Sequence, residues 1–180
     1  MKSRSVLGAV VACAALVVGG GGLASPAQAA EAKAPVAVLP MDGGFFEVVN
    51  DHADKCAEVD GNGRDRIGTL IHEWSCDGDD NQWWAPTDVG HDGFFTLTNK
   101  GSGFCMNVKA NWGVDQQPCD ASKPGQWWRL QASGLAGHLQ LGSGLLGECL
   151  ALFPNTSANG TSIVIGDCST SSAKLWHFES

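Results

Sequence analysis

The chain has 180 residues and carries eleven Lys and Arg against nineteen Asp and Glu, a formal charge of −8 at pH 7. Such a surface repels phosphate backbones and anionic lipid, which argues against nucleic acid and membrane as partners. Seven cysteines and seven tryptophans, with no tyrosine, are the features of composition that call for a structural reason.

Residues 1–29 read as a secretory signal peptide. Lys2 and Arg4 form a positive n-region, an apolar run follows from Val6 to Val18, and Ala27-Gln28-Ala29 offers a small-residue cleavage site. The apolar run is too short and too Gly-rich to span a bilayer. Gly19 to Gly22 belong to this segment and form no phosphate-binding loop. Val10-Val11-Ala12-Cys13 loosely resembles a lipoprotein box, but it falls early and strands apolar residues after the cut. Cleavage after Ala29 removes two basic residues and Cys13, leaving six cysteines. An even count behind an export signal predicts three disulfides and an extracellular location. Residues 30–42 are rich in Ala, Pro and Val without periodicity, and read as a flexible lead-in. Residues 43–180 then form one domain, long enough to bury one core.

Three copies of one pattern fill that domain, over about 44–90, 91–134 and 135–180. The first runs through Gly44-Phe45-Phe46, Cys56-Ala57-Glu58-Val59 and Trp74-Ser75-Cys76 to Gln82-Trp83-Trp84. The second runs through Gly93-Phe94-Phe95, Cys105-Met106-Asn107-Val108 and Cys119 to Gln126-Trp127-Trp128. The third runs through Gly137-His138-Leu139, Cys149-Leu150-Ala151-Leu152 and Cys168 to Lys174-Leu175-Trp176. If the copies are equivalent units, one pairing must serve all three. The simplest is Cys56–Cys76, Cys105–Cys119 and Cys149–Cys168, each closing a short loop worth ~3 kcal/mol in the chain-entropy view. Trp84, Trp128 and Trp176 occupy equivalent positions and are expected to point inward together. Short strand-like segments such as 94–98, 105–108 and 162–165 lie between turn signals like Asp77-Gly78 and Asn159-Gly160. Many short strands at this spacing predict an all-β fold closed by repetition.

These residues resemble the Q-x-W repeat of the ricin-type lectins. Gln82-Trp83-Trp84 and Gln126-Trp127-Trp128 match it outright, while Lys174-Leu175-Trp176 keeps the tryptophan and loses the glutamine. The resemblance covers residues 44–180. It implies a β-trefoil, with six strands in a short barrel and six capping it about a pseudo-threefold axis. It also implies a secreted lectin whose partner is a glycan or polysaccharide.

A shallow sugar site needs an aromatic face for the C–H side of a pyranose and a carboxylate or amide for its vicinal hydroxyls. The family supplies an acid two residues after the first cysteine. An amide lies four residues before the second cysteine, an aromatic two before it, and an Asn-Gln pair opens the closing motif. In the first copy these positions hold Glu58, His72, Trp74, Asn81 and Gln82, with Glu58 longer than the usual Asp and His72 replacing an amide. In the second they hold Asn107, Asp115, Gln117, Gly125 and Gln126. No aromatic stands in place there, so Trp112 in the loop is the available substitute. In the third, Ala151, Val164, Gly166, Ala173 and Lys174 make a scaffold. One site without avidity implies affinity of ~0.1–1 mM, about −4 to −5.5 kcal/mol.

Other chemistries fit less well. His72-Glu73 begins like a zincin motif, but Cys76 stands where the second histidine belongs. No G-x-S-x-G is present and the cysteines are committed to bridges, so no enzyme is expected. Asp60-Gly61-Asn62-Gly63 begins like a calcium loop, but Arg64 breaks it. That loop, with Asp77, Asp79 and Asp80, reads as turns. No metal and no cofactor are expected, and the chain is expected to be a monomer. The alternative function is a β-trefoil protein-interaction module, an inhibitor or effector that has lost sugar binding. Asn155-Thr156-Ser157 and Asn159-Gly160-Thr161 fit the N-glycosylation pattern.

Overall fold

Each copy alternates apolar and polar residues over four to six positions before a Gly, Asn or Asp interrupts it, so its strands are short. The computed structural model describes residues 43–61 and 64–180. The expected signal peptide and lead-in, and Asn62 and Gly63 of the Asp60–Gly63 loop, lie outside them. The first copy supplies β1 (Phe46–Asn50), β2 (Lys55–Val59), β3 (Ile71–Trp74) and β4 (Trp83–Asp88). The second supplies β5 (Phe95–Asn99), β6 (Cys105–Val108), β7 (Val114–Gln117) and β8 (Trp128–Ala132). The third supplies β9 (Leu139–Ser143), β10 (Cys149–Phe153), β11 (Thr161–Gly166) and β12 (Trp176–Glu179). The 105–108 strand falls where the sequence places it. The one expected at 94–98 begins a residue later, and 162–165 is the middle of a longer strand. A single 3-10 turn precedes the last strand of each copy, at Asp80–Gln82, Pro124–Gln126 and Ser172–Lys174.

Strand β1 pairs with β4 and β12, and the ring continues through β4–β5, β5–β8, β8–β9 and β9–β12. Six strands therefore close on themselves and leave no edge for another chain to extend. The other six form three hairpins, β2–β3, β6–β7 and β10–β11. These join one another through the β3–β11 pairing and the bridges Leu70–Asp115 and Gly113–Val164. The fold is a β-trefoil.

Its core repeats three times. Trp84, Trp128 and Trp176 are completely buried. Their indole N–H groups donate to the carbonyls of Ala57 (2.9 Å), Met106 (3.2 Å) and Leu150 (3.0 Å), each the residue after the first cysteine of its copy. Val48, Leu97 and Leu141 pack with them, as do Val59, Val108 and Leu152. The disulfides are Cys56–Cys76, Cys105–Cys119 and Cys149–Cys168.

A second threefold device fastens each copy to the one before it. The N–H of Lys100 donates to Trp83 O (2.9 Å), that of Gly144 to Trp127 O (2.8 Å), and that of Asp51 to Leu175 O (3.0 Å). Two buried amides reinforce the seam. Asn99 donates to Asn81 O and Trp83 O, and Asn50 donates to Ala173 O and Leu175 O. Ser143 takes this place in the third copy, where the backbones approach so closely that a Cβ on Gly144 would stand 2.7 Å from that of Trp127.

Among the described residues, Glu73, Asn81 and Glu148 leave buried side-chain oxygens without a partner. Glu73, on the inward side of β3, is fully buried and neither carboxylate oxygen has a hydrogen-bond partner. Burial pushes its pKa up to about 7, against a smaller lowering by Lys55. The folded state thus holds this proton more tightly than the unfolded chain. The stabilisation is full below about 4.5 and is lost as pH rises toward 7. Glu47 is raised by burial and by Glu179 and Asp77. Hydrogen bonds to Asp51 and Glu179 raise His177 against the opposing effect of burial. Both act with the same sign. The unfolding temperature is therefore expected to fall by roughly 5 °C or more between pH 5 and 8. Glu73→Gln should make that slope shallower in calorimetry at several pH values; an unchanged slope would remove Glu73 as its source.

Candidate functional site

The β2–β3 register sets the site. Glu58 lies opposite His72 and Cys56 opposite Trp74. Because side chains alternate across a strand, Glu58, His72 and Trp74 share one face, while Ala57 and Glu73 turn to the other. His72 Nε2 lies 3.4 Å from Glu58 Oε1, at the far limit of a hydrogen bond. The rings of His72 and Trp74 are 5.5 Å apart, and Trp74 is 37% exposed.

The closing motif supports this face from beneath. Gln82 is completely buried and donates to Glu58 Oε2 (2.7 Å) and Ser75 O (2.9 Å), while its oxygen accepts from the N–H of Asp77 (2.9 Å). It braces the backbone on both sides of Cys76 and fixes the carboxylate of Glu58. Asn81 donates to Val59 O (2.9 Å), but its own oxygen is buried without a partner. A cleft of about 510 Å³ opens over these groups, lined by Glu58, Asp60, Arg64, His72, Trp74, Asp77, Asp79 and Asn81 among others. Of the five residues predicted for the sugar site, Glu58, His72, Trp74 and Asn81 line it, and the fully buried Gln82 does not. Gln82 stands behind Glu58. The aspartates around it make turns and ion pairs: Asp77 accepts from the N–H of Asp79, Asp79 lies 3.9 Å from Arg64, and Asp80 pairs with Lys100 at 2.8 Å.

The second copy spends the same positions on itself. Asp115 is buried and accepts from Asn107 and Gln117, both at 2.8 Å. A Cβ on Gly125 would stand 3.0 Å from Asn107 Oδ1, so an asparagine there would require the Asn107 side chain to shift. The 64–68 loop of the first copy also lies along β7. Gln116 donates to the carbonyls of Arg64 and Arg66, and Gly68 donates to Gln116 O. Gln126 repeats the brace of Gln82, accepting from the N–H of Asp120 and donating to Pro118 O across Cys119.

In the third copy, Ala151 and Ala173 are buried and Val164 is half-buried, so no polar group stands ready for a ligand. Lys174, which reads in sequence as a lost glutamine, still performs the brace. Its ammonium binds the Asp167 carboxylate and the Ser169 hydroxyl, the residues on either side of Cys168. Sequence reasoning missed this because the partners are side chains where the other copies use backbone. Asp167-Cys168-Ser169 was the available signal.

The tryptophans divide cleanly. The indole N–H groups of Trp83 and Trp127 donate to Gly78 O and Ala121 O, and the three core indoles donate as described. Trp74 and Trp112 (56% exposed) are the two large exposed tryptophans.

The sequence profile described as the ricin-type beta-trefoil lectin domain matches residues 44–176. The chain belongs to the ricin-type β-trefoil lectin family. Solved structures repeat this lectin fold at low identity. The designed threefold-symmetric protein ThreeFoil is 24% identical with a TM-score of 0.70, over 76% of this chain and 98% of that one. The C-half of the earthworm R-type lectin, solved with GalNAc, is 16% identical with a TM-score of 0.62, over 75% and 97%. The ricin B-like lectin of Macrolepiota procera, solved with lactose, is 15% identical with a TM-score of 0.65, over 76% and 95%. In a mosquitocidal holotoxin, 14% identical with a TM-score of 0.70 over 79% of this chain, the match spans 17% of that chain. No curated protein matches this lectin domain by sequence.

Gln82→Ala leaves the N–H of Asp77 and the carbonyl of Ser75 without their partner and frees Glu58. Urea unfolding should show a loss of about 1–3 kcal/mol; a loss below ~0.5 kcal/mol would mean that Gln82 carries no brace.

Proposed function

We propose that the chain is a secreted, non-catalytic lectin module that acts as a monomer and binds a glycan at one shallow site in its first copy. Trp74 offers the stacking face, and Glu58, His72 and Asn81 meet the sugar hydroxyls. Gln82 holds Glu58 in place. The observation that carries this reading is the Asn81 oxygen, an unpaired buried acceptor in a cleft beside an exposed indole. A buried acceptor without a partner is costly, and a ligand hydroxyl relieves that cost. The weak His72–Glu58 contact leaves the carboxylate able to accept as well. The second copy has its acid satisfied internally and the third has none, so neither competes.

Three disulfides suit an oxidising, extracellular compartment. With Glu58, Asp60, Asp77 and Asp79 around the cleft against Arg64, the ligand is a neutral sugar rather than a uronic, sialylated or sulfated one. Nucleic acid and membrane surfaces are disfavoured by the same charge.

A glycan array tests this. Signal is expected on neutral glycans, lost in Trp74→Ala at an unchanged unfolding temperature. Silence across animal, plant and microbial wall glycans would overturn the lectin reading in favour of a protein partner.

A further inference from the structure

The first-copy cleft does not end at His72. A second cleft of about 330 Å³ lies on its other side, and the two share Asp60, His72 and Gly160 as common walls. The far wall of the second cleft comes from the second copy, through Asn111 and Gly113. Between those two residues stands Trp112, 56% exposed.

The backbone there is built at a cost. Trp112 has φ +70, in the left-handed region that suits glycine and asparagine, although a glycine follows immediately. The turn is fixed by the Trp112 N–H donating to Lys109 O (3.0 Å) and by Trp112 O accepting from the N–H of Ile165 (2.8 Å). Among the described residues no aromatic or cationic group packs on its ring and no acceptor takes its indole N–H. The fold ties down five tryptophans through their N–H groups. Of the two it leaves exposed, Trp74 lines the first cleft, and Trp112 sits between two residues, Asn111 and Gly113, that line the second.

Resting on the reading of the first-copy site as a sugar site, we propose that the ligand is a linear oligosaccharide or polysaccharide chain. One unit stacks on Trp74, and the chain continues past His72 and over the β3–β11 seam to Trp112. The β2, β3 and β11 strands and the 111–113 turn lie side by side through the β2–β3 and β3–β11 pairings and the Gly113–Val164 bridge. At ~4.8 Å per strand spacing this path is roughly 10–15 Å, longer than one pyranose ring. Its walls mix the polar side chains of Asp60, His72, Asn111 and Ser162 with aliphatic ones such as Leu70, Ile163 and Val164, as suits a sugar with hydroxyl edges and C–H faces. Trp112 thus serves the first copy's site rather than a separate site in the second.

Isothermal titration with galacto-, xylo- and cello-oligosaccharides of one to five units separates the possibilities. For the series that binds, affinity is expected to rise at least tenfold from one unit to four and then level off. Trp112→Asn, which suits the left-handed turn, should bring the four-unit to one-unit ratio down at least fivefold, with thermal unfolding measured alongside. A flat affinity from one unit to four, with binding still lost in Trp74→Ala, would overturn the extended site and leave the single-sugar reading standing. A ratio unmoved by Trp112→Asn would equally overturn it. No binding in any series would overturn both together.

Discussion

One hydrogen bond, made three times, organises this molecule: the indole N–H of a buried tryptophan donating to the carbonyl of the residue after a cysteine. A tryptophan buried in a small core must find a partner for its N–H, because an unmet donor costs more than a neutral bond returns. Here the partner is always the first strand of the capping hairpin, pinned at its end by the disulfide. The bond therefore fixes the hairpin against the barrel, and the Gln or Lys two residues before the tryptophan fixes the other side of the same disulfide. Core, cap and staple are one unit.

The same unit decides where a ligand can sit. With the hairpin held this way, the residue two after the first cysteine and the residues two and four before the second face outward on one surface. What those positions contain then becomes a question of chemistry alone. In the first copy Gln82 holds a carboxylate, Asn81 leaves an oxygen unpaired, and Trp74 lies open. In the second Asp115 is absorbed by Asn107 and Gln117 and the first copy's loop leans on β7. In the third the surface is apolar. The scaffold is threefold, and the polar surface it presents is not.

Much of this was legible in the residues. The cysteine spacing and the closing tryptophans determined the disulfides and the core, because both depend on local, repeated sequence. Glu58, His72, Trp74 and Asn81 were legible through the resemblance to the ricin-type repeat; the β2–β3 register puts the first three on one face, and the 3-10 turn brings Asn81 to the same cleft. Other features rest on contacts between copies, which no local pattern encodes. Asn50 and Asn99 belong to no motif of the sequence, yet they close the ring against the preceding copy. Lys174 reads as a loss, yet it finds Asp167 and Ser169. Glu73 stands out in the sequence only as part of an incomplete zincin-like motif, yet the strand alternation buries it. Trp112 looked like a substitute for a missing aromatic in its own copy. The pairing of β3 with β11 and the Gly113–Val164 bridge bring its turn alongside the first copy's hairpin, the placement on which the proposed extended site rests.

The central claim is that three copies share one scaffold while only the first presents an open site, and the seven tryptophans report on it directly. Titration of 15N-labelled protein with a bound neutral glycan, followed by the indole N–H resonances, gives one signal per tryptophan. The resonance of Trp74 should move and saturate at one ligand per chain, while those of Trp84, Trp128 and Trp176 stay in place. Saturation at two or three ligands, or shifts centred on Trp127 with Trp74 unmoved, would contradict the account.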